Sequence, residues 1–156
     1  MWYSYAIVRV VPRVERGEFL NVGVIVFARE QEFCQASVEL DRHRLLSLAP
    51  DIDLAAVERH LGTILAICDG RPEGGPIAAL PPPERFYWLV APRSTMIQTS
   101  PVHVGRSDEL ELSKAVESLL TEFVRLPAAS LRGSRPADGY REAVAQPDAV
   151  LARPIG

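Results

Sequence analysis

The run from Asn21 to Ala28 is the part of the sequence that most restricts how the chain can fold. In an extended chain, successive side chains point to opposite faces. Here three valines would lie on one face, and a glycine, an isoleucine and a phenylalanine on the other: Val22, Val24 and Val26, then Gly23, Ile25 and Phe27. A strand that is apolar on both faces is typical of a sheet interior covered on both sides. The sequence therefore predicts an inner strand at 21–28.

Two further strands are predicted beside this run in the sequence. Residues 3–11 alternate and are rich in β-branched and aromatic side chains, and Pro12 then ends the strand because it cannot donate to a partner. Residues 33–40 alternate again after a short polar turn. Because both connections are short, we expect the three strands to form an antiparallel meander.

Helices are predicted after the third strand. Asp41 is placed to cap a short helix that ends at Leu48, and Asp51 or Asp53 to cap a longer helix that reaches about Cys68. The longer segment has apolar residues at helical spacing, so one of its faces would pack on the sheet.

The middle of the chain has a weaker pattern. Residues 71–83 are rich in proline and glycine and are predicted to form a surface loop. Residues 86–91 are apolar and aromatic, which favours a strand. Two short extended pieces are predicted at 96–98 and 102–104.

A final helix is predicted to begin at Ser107 or Asp108, with a buried stripe formed by Leu112, Val116, Leu119, Leu120 and Phe123. The pattern stops after Leu126. We therefore predict a single α+β domain over residues 1–126, in which helices pack on a mainly antiparallel sheet. Residues 127–156 contain scattered Pro, Ala and Arg, and we expect them to be a disordered tail.

Composition excludes several functional classes. The net charge of −3 argues against a protein that binds nucleic acid through its phosphates.

Cys34 and Cys68 lie in apolar surroundings without CxxC spacing, so we expect both to be reduced core residues. His43 and His60 have no second ligand at metal spacing, and we expect no metal or cofactor. We find no signal peptide and no membrane-spanning run, so the expected location is the bacterial cytoplasm.

The first candidate site is the charged connection after the first strand. It combines Arg9, Arg13, Arg16, Glu18 and Asn21. Arginines in a loop between core strands can bind a phosphate, a carboxylate or a partner through bidentate hydrogen bonds. The alternative is a solvated hairpin loop whose charges pair with each other and contribute little.

The second candidate site follows the aromatic run. Arg93, Ser94 and Thr95 could bind an anion, and His103 could act as a general base, with Arg93 and Glu18 as further weak catalytic candidates. The alternative is that the hydroxyls cap turns and that Arg93 donates to carbonyls. Arg93 could also clamp this segment to the loop that contains Glu18, which would make it structural.

Three segments together resemble an uncharacterised bacterial family, the domain of unknown function 3037. They are Tyr-Ser-Tyr-Ala-Ile-Val-Arg at 3–9, Glu-Phe-Leu-Asn-Val-Gly-Val at 18–24 and Trp-Leu-Val-Ala-Pro-Arg-Ser-Thr at 88–95. The resemblance covers residues 3–126 and implies no activity. It implies an accessory partnership with a HipA-like serine/threonine kinase.

These observations leave an interaction protein and an enzyme as competing hypotheses. The first is a non-catalytic accessory or interaction protein, favoured because no catalytic motif is present. The alternative is a small enzyme or anion-binding domain that acts on a phosphorylated or nucleic-acid substrate. An enzyme should bring Arg93, His103 and an acidic residue such as Glu18 into one pocket. An interaction protein should show an exposed apolar patch or a free sheet edge.

Overall fold

The computed structural model describes residues 1–108 and 111–127. Five strands form one sheet in the order β3-β2-β1-β4, and β5 pairs with β1 on the same side as β4. All pairs are antiparallel. The bounds are β1 Trp2–Val10, β2 Leu20–Ala28, β3 Phe33–Val38, β4 Ile97–Thr99 and β5 His103–Arg106. The predicted antiparallel sheet is confirmed, as is the inner position of the strand at 21–28.

Four α-helices lie in the described part of the chain: α1 Arg42–Leu48, α2 Leu54–Asp69, α3 Pro82–Leu89 and α4 Leu112–Phe123. The carboxylate of Asp41 accepts from the Arg44 amide to cap α1, and that of Asp53 accepts from the Ala56 amide to cap α2. These caps confirm the predicted starts of both helices. None of the helices in this part of the chain could cross a membrane, because none combines the necessary length and apolar character.

The prediction of a strand at 86–91 is wrong, because these residues belong mostly to α3. Pro82 and Pro83 occupy its first turn, where the fixed φ of proline suits a helix and the missing N–H has no helical partner to lose. Phe86 and Leu89 are buried three residues apart, which is a helical spacing. The aromatic character of the run favoured a strand, but its burial has the helical period.

Two other boundaries differ from the predictions. The predicted loop at 71–83 contains a 3-10 segment, Pro72–Ala79, interrupted at Gly75, where φ is 71°. The last helix begins at Leu112 rather than at Ser107 or Asp108, and Glu111 precedes it without a side-chain cap. The predicted tail lies outside the described residues except for Pro127, and it stays a prediction.

A bulge in β2 changes which side chains share a face. Arg9 lies opposite Asn21, but Val8 lies opposite Gly23, so Val22 is an extra residue in its strand. Val22 therefore joins Ile25 in the core beneath α2 and α3, whereas Val24 packs with α4 on the other face. The expectation that Val22 and Val24 point the same way is wrong, but both faces of β2 are covered as predicted.

Candidate functional site

The arginines of the β1–β2 connection are paired with carboxylates. Arg13 lies 3.2 Å from a carboxylate oxygen of Asp51, and Arg16 pairs with Glu18. These side chains surround a shallow depression of about 290 Å³. Because each of the two cations already has a carboxylate neighbour, the arrangement favours a self-paired loop over a phosphate site.

Arg9 and Asn21 lie opposite each other on β1 and β2. The Asn21 amide donates to the Phe123 carbonyl at 3.0 Å, which ties the end of α4 to the sheet. The Arg9 guanidinium lies 4.2 Å from the centre of the Phe19 ring. Within the described residues, Arg9 Nε and Asn21 Oδ1 are buried without a hydrogen-bond partner. Asn21 thus has a structural role.

Arg93 folds back on the end of α3. Its guanidinium lies 4.0 Å from the centre of the Trp88 ring and donates to the Trp88 carbonyl. The Thr95 hydroxyl donates to the Ile97 carbonyl at 2.8 Å, and Ser94 is exposed. Arg93 therefore donates to a backbone carbonyl, which is one of the alternatives predicted for it. That carbonyl belongs to Trp88, five residues away, and not to the loop that contains Glu18.

A cleft of about 300 Å³ lies beside Arg93, between α2 and the segment that connects α3 to β4. Its walls are mostly apolar, and its polar side chains include His60, Thr63 and Arg93. A small apolar ligand with one anionic group would match this lining. The sequence shows only that His60 has no second ligand at metal spacing; its place in the cleft follows from how α2 packs, which the sequence does not display.

His103 lies on the opposite face of the sheet from this cleft. Its ring stacks on Tyr5 at 5.3 Å, and Tyr5 contacts Tyr3 and Phe123 of the α4 cluster. Burial, with Tyr5 and Glu122 nearby, raises the pKa of Tyr3. The three catalytic candidates therefore lie apart, with His103 beside Tyr5, Arg93 at the cleft and Glu18 in the loop. Over residues 1–108 and 111–127, no three His, Cys, Asp or Glu side chains cluster to hold a metal.

The amino-terminal end of β1 carries an exposed apolar surface. We define the edge patch as Trp2, Tyr87 and Val104, whose exposed fractions are 67%, 56% and 68%. Val104 lies opposite Ser4 of β1, and Ser4 lies opposite Phe27 of β2. Because Ser4 is small, a depression of about 240 Å³ opens between the larger side chains.

The edge patch adjoins a free strand edge. β5 pairs with β1 on one side, and no other strand of the described chain pairs with its outer side. Sequence reasoning missed this surface because Tyr87 comes from α3, which had been predicted as a strand, and Trp2 precedes the predicted start of β1. The available signal was Val104 of β5, an apolar residue between polar neighbours and glycine.

Comparison with known proteins gives a family. A family model described as "Protein of unknown function (DUF3037)" matches residues 5–124. No curated protein and no solved structure matches the chain.

Proposed function

The chain belongs to the DUF3037 family, and we propose that it is a non-catalytic interaction protein that binds an extended segment of a partner protein along β5. The observation that carries this proposal is the edge patch beside an unpaired strand. An edge strand offers a row of backbone donors and acceptors to an added strand. The patch offers apolar side chains to the same segment.

The energetics favour such a contact. Trp2 and Val104 are each about two-thirds exposed, at 67% and 68%. Fully burying a large apolar side chain contributes on the order of 1.5–3 kcal/mol. The depression above Ser4 could receive one apolar side chain of the added strand, which would fix its register. Backbone pairing supplies affinity, and the depression supplies selectivity.

The separation of the catalytic candidates supports an interaction role over an enzymatic one. A general base must reach the proton that it removes, and His103 lies across the sheet from Arg93. The second candidate function is an anion-binding domain for a phosphorylated or nucleic-acid substrate. It is favoured by the cleft that contains Arg93 and His60, with Ser94 and Thr95 on the same connection.

The partner to test first is a HipA-like serine/threonine kinase in the bacterial cytoplasm. This choice rests on the family alone, whereas the location of the contact on the molecule rests on the edge patch. The two parts of the proposal therefore stand or fall separately.

Capture of partners from lysate of the native host tests the proposal. Tagged wild-type protein is compared with Val104→Lys and with the matched control Val14→Lys, since Val14 is also exposed, at 44%, but lies beyond the other end of β1. Mass spectrometry identifies the captured proteins. We expect Val104→Lys to lose the partners that wild type and Val14→Lys retain. Equal recovery with both variants would contradict a contact at β5.

A further inference from the structure

Cys34 and Cys68 lie side by side although they are 34 positions apart in sequence. Cys34 is in β3, and Cys68 is in the last turn of α2, which packs on that strand. Their sulfur atoms are 3.2 Å apart, and both thiols are free. Cys68 is buried and Cys34 is half-buried, so only Cys34 has an open side. The expected reduced core cysteines thus form a pair, which their spacing did not indicate.

Two charged groups, one from each of two helices, lie near the pair. Arg85 of α3 lies near both thiols, and its Nε is buried without a partner in the described part of the chain. Asp69 of α2 opposes it. The hydrogen bond with the Cys68 thiol, helped by Arg85, lowers the pKa of Cys34 against the opposing effects of burial and Asp69. The same hydrogen bond and burial raise the pKa of Cys68.

We propose that Cys34 and Cys68 are a modification site, at which a hydroperoxide reversibly oxidises the two thiols to an intramolecular disulfide. The partly open Cys34 next to Arg85 is the thiol that reacts first, and the buried Cys68 resolves the product. This site goes beyond the proposed partner contact and does not depend on it.

The reaction balances without any further reagent. The Cys34 thiolate attacks one oxygen of the peroxide, an S–O bond forms, the O–O bond breaks, and the leaving oxygen takes up the proton released from Cys34. Cys34 is now a sulfenic acid, and the peroxide has been reduced. The Cys68 sulfur then attacks Cys34, the S–S bond forms, and the S–O bond breaks. The departing hydroxide takes the Cys68 proton to leave as water. A small dithiol reverses the bond by exchange.

The disulfide would fasten β3, an edge strand, to the end of α2. A crosslink between residues 34 positions apart restricts the unfolded chain. We expect oxidation to raise the Tm by about 5–10 °C.

Hydrogen peroxide and the full chain test the proposal. After peroxide treatment, alkylation and trypsin digestion, we expect one disulfide that joins the tryptic peptides 30–42 and 60–85, in monomeric protein, and its loss after dithiothreitol. The reaction should be roughly tenfold faster in the folded chain than in the same chain unfolded in urea, because folding aligns the two sulfurs and favours the thiolate. Since this comparison uses wild-type protein, it does not depend on a variant that folds.

Two variants assign the roles of the sulfurs. Cys68→Ser should stop at a sulfenic acid on Cys34 that dimedone labels, whereas Cys34→Ser should leave Cys68 reduced. Arg85→Gln should slow the wild-type reaction about threefold or more, because a cation that favours the thiolate is lost. Thiols that stay free in folded wild type, disulfides only between chains, or equal rates in folded and unfolded protein would overturn the proposal.

Discussion

The two strands that flank β1 near its amino-terminal half, β2 and β5, have opposite environments. β2 is covered by α2 and α3 on one face and by α4 on the other, and its Val24 is fully buried. No residue of β5 belongs to the two hydrophobic clusters in which the helices bury β2, and Val104 of β5 is 68% exposed. The same residue type therefore stabilises the fold in one strand and lies open for contact in the other. We infer that β2 carries the stability and β5 the interaction.

The largest expected effect comes from shortening a buried side chain of β2. Ile25→Ala should lower the free energy of unfolding by about 2–5 kcal/mol, because Ile25 is fully buried and its loss leaves a cavity. Val104→Ala should change it by less than about 0.5 kcal/mol, as exposed substitutions usually do. Denaturant unfolding measures both, and similar losses in the two variants would break the comparison.

A glycine in β2 gives the next largest effect. A Cβ at position 23 would lie 2.5 Å from the Ser37 carbonyl oxygen of β3, a backbone atom that cannot move aside cheaply. Gly23→Ala should therefore cost about 1–3 kcal/mol in denaturant unfolding. Gly62→Ala is the control, because its Cβ would meet no atom within 4 Å in a helix, and it should be neutral or stabilising by about 0.5–1 kcal/mol. Tolerance of Gly23→Ala would show that β2 and β3 are less closely paired.

Arg93→Lys should have a smaller effect. A clamp to the loop that contains Glu18 would have implied about 1–3 kcal/mol, but Arg93 donates to the Trp88 carbonyl and stacks on the Trp88 ring. We expect a loss of about 0.5–1 kcal/mol. Arg106→Lys is the control, since that guanidinium is 5.9 Å from the Trp2 ring centre and should contribute less. A thermal melt in which Arg93→Lys loses about 1–3 kcal/mol would instead support a clamp between Arg93 and the loop that contains Glu18.

Removal of residues 128–156 should have the smallest effect on stability. Their sequence has no periodic apolar stripe that would pack on the domain. We expect the Tm to fall only slightly, well short of about 5 °C, which for a domain of this size would correspond to on the order of 1–2 kcal/mol. A calorimetric scan that gives a larger fall would mean that the domain does not end near Leu126.

The sequence predicted the parts of the fold that follow local rules. The presence of strands β1 to β3 and the caps at Asp41 and Asp53 depend on neighbours in the chain, and the structure has them. The helix at 82–89 was missed because its aromatic residues favour a strand locally, whereas its burial period depends on tertiary packing.

The sites were harder to predict because they join distant segments. The edge patch combines β1, α3 and β5, and the thiol pair combines β3 and α2. The bulge at Val22 also depends on pairing with β1, so alternation within β2 could not indicate it. Conversely, Arg93 and His103 are close in sequence but lie on opposite faces of the sheet.

Hydrogen–deuterium exchange of the full chain, alone and with the partner recovered by capture, tests the central claim most directly. Strand addition would give the outer amides of β5 new hydrogen-bond partners, so exchange at 102–106 should slow when the partner binds. Exchange in the self-paired loop at 13–19 should stay unchanged. Protection at 13–19, or at the cleft segment 91–99, with no change at 102–106 would contradict the assignment of the interaction to the free edge of β5.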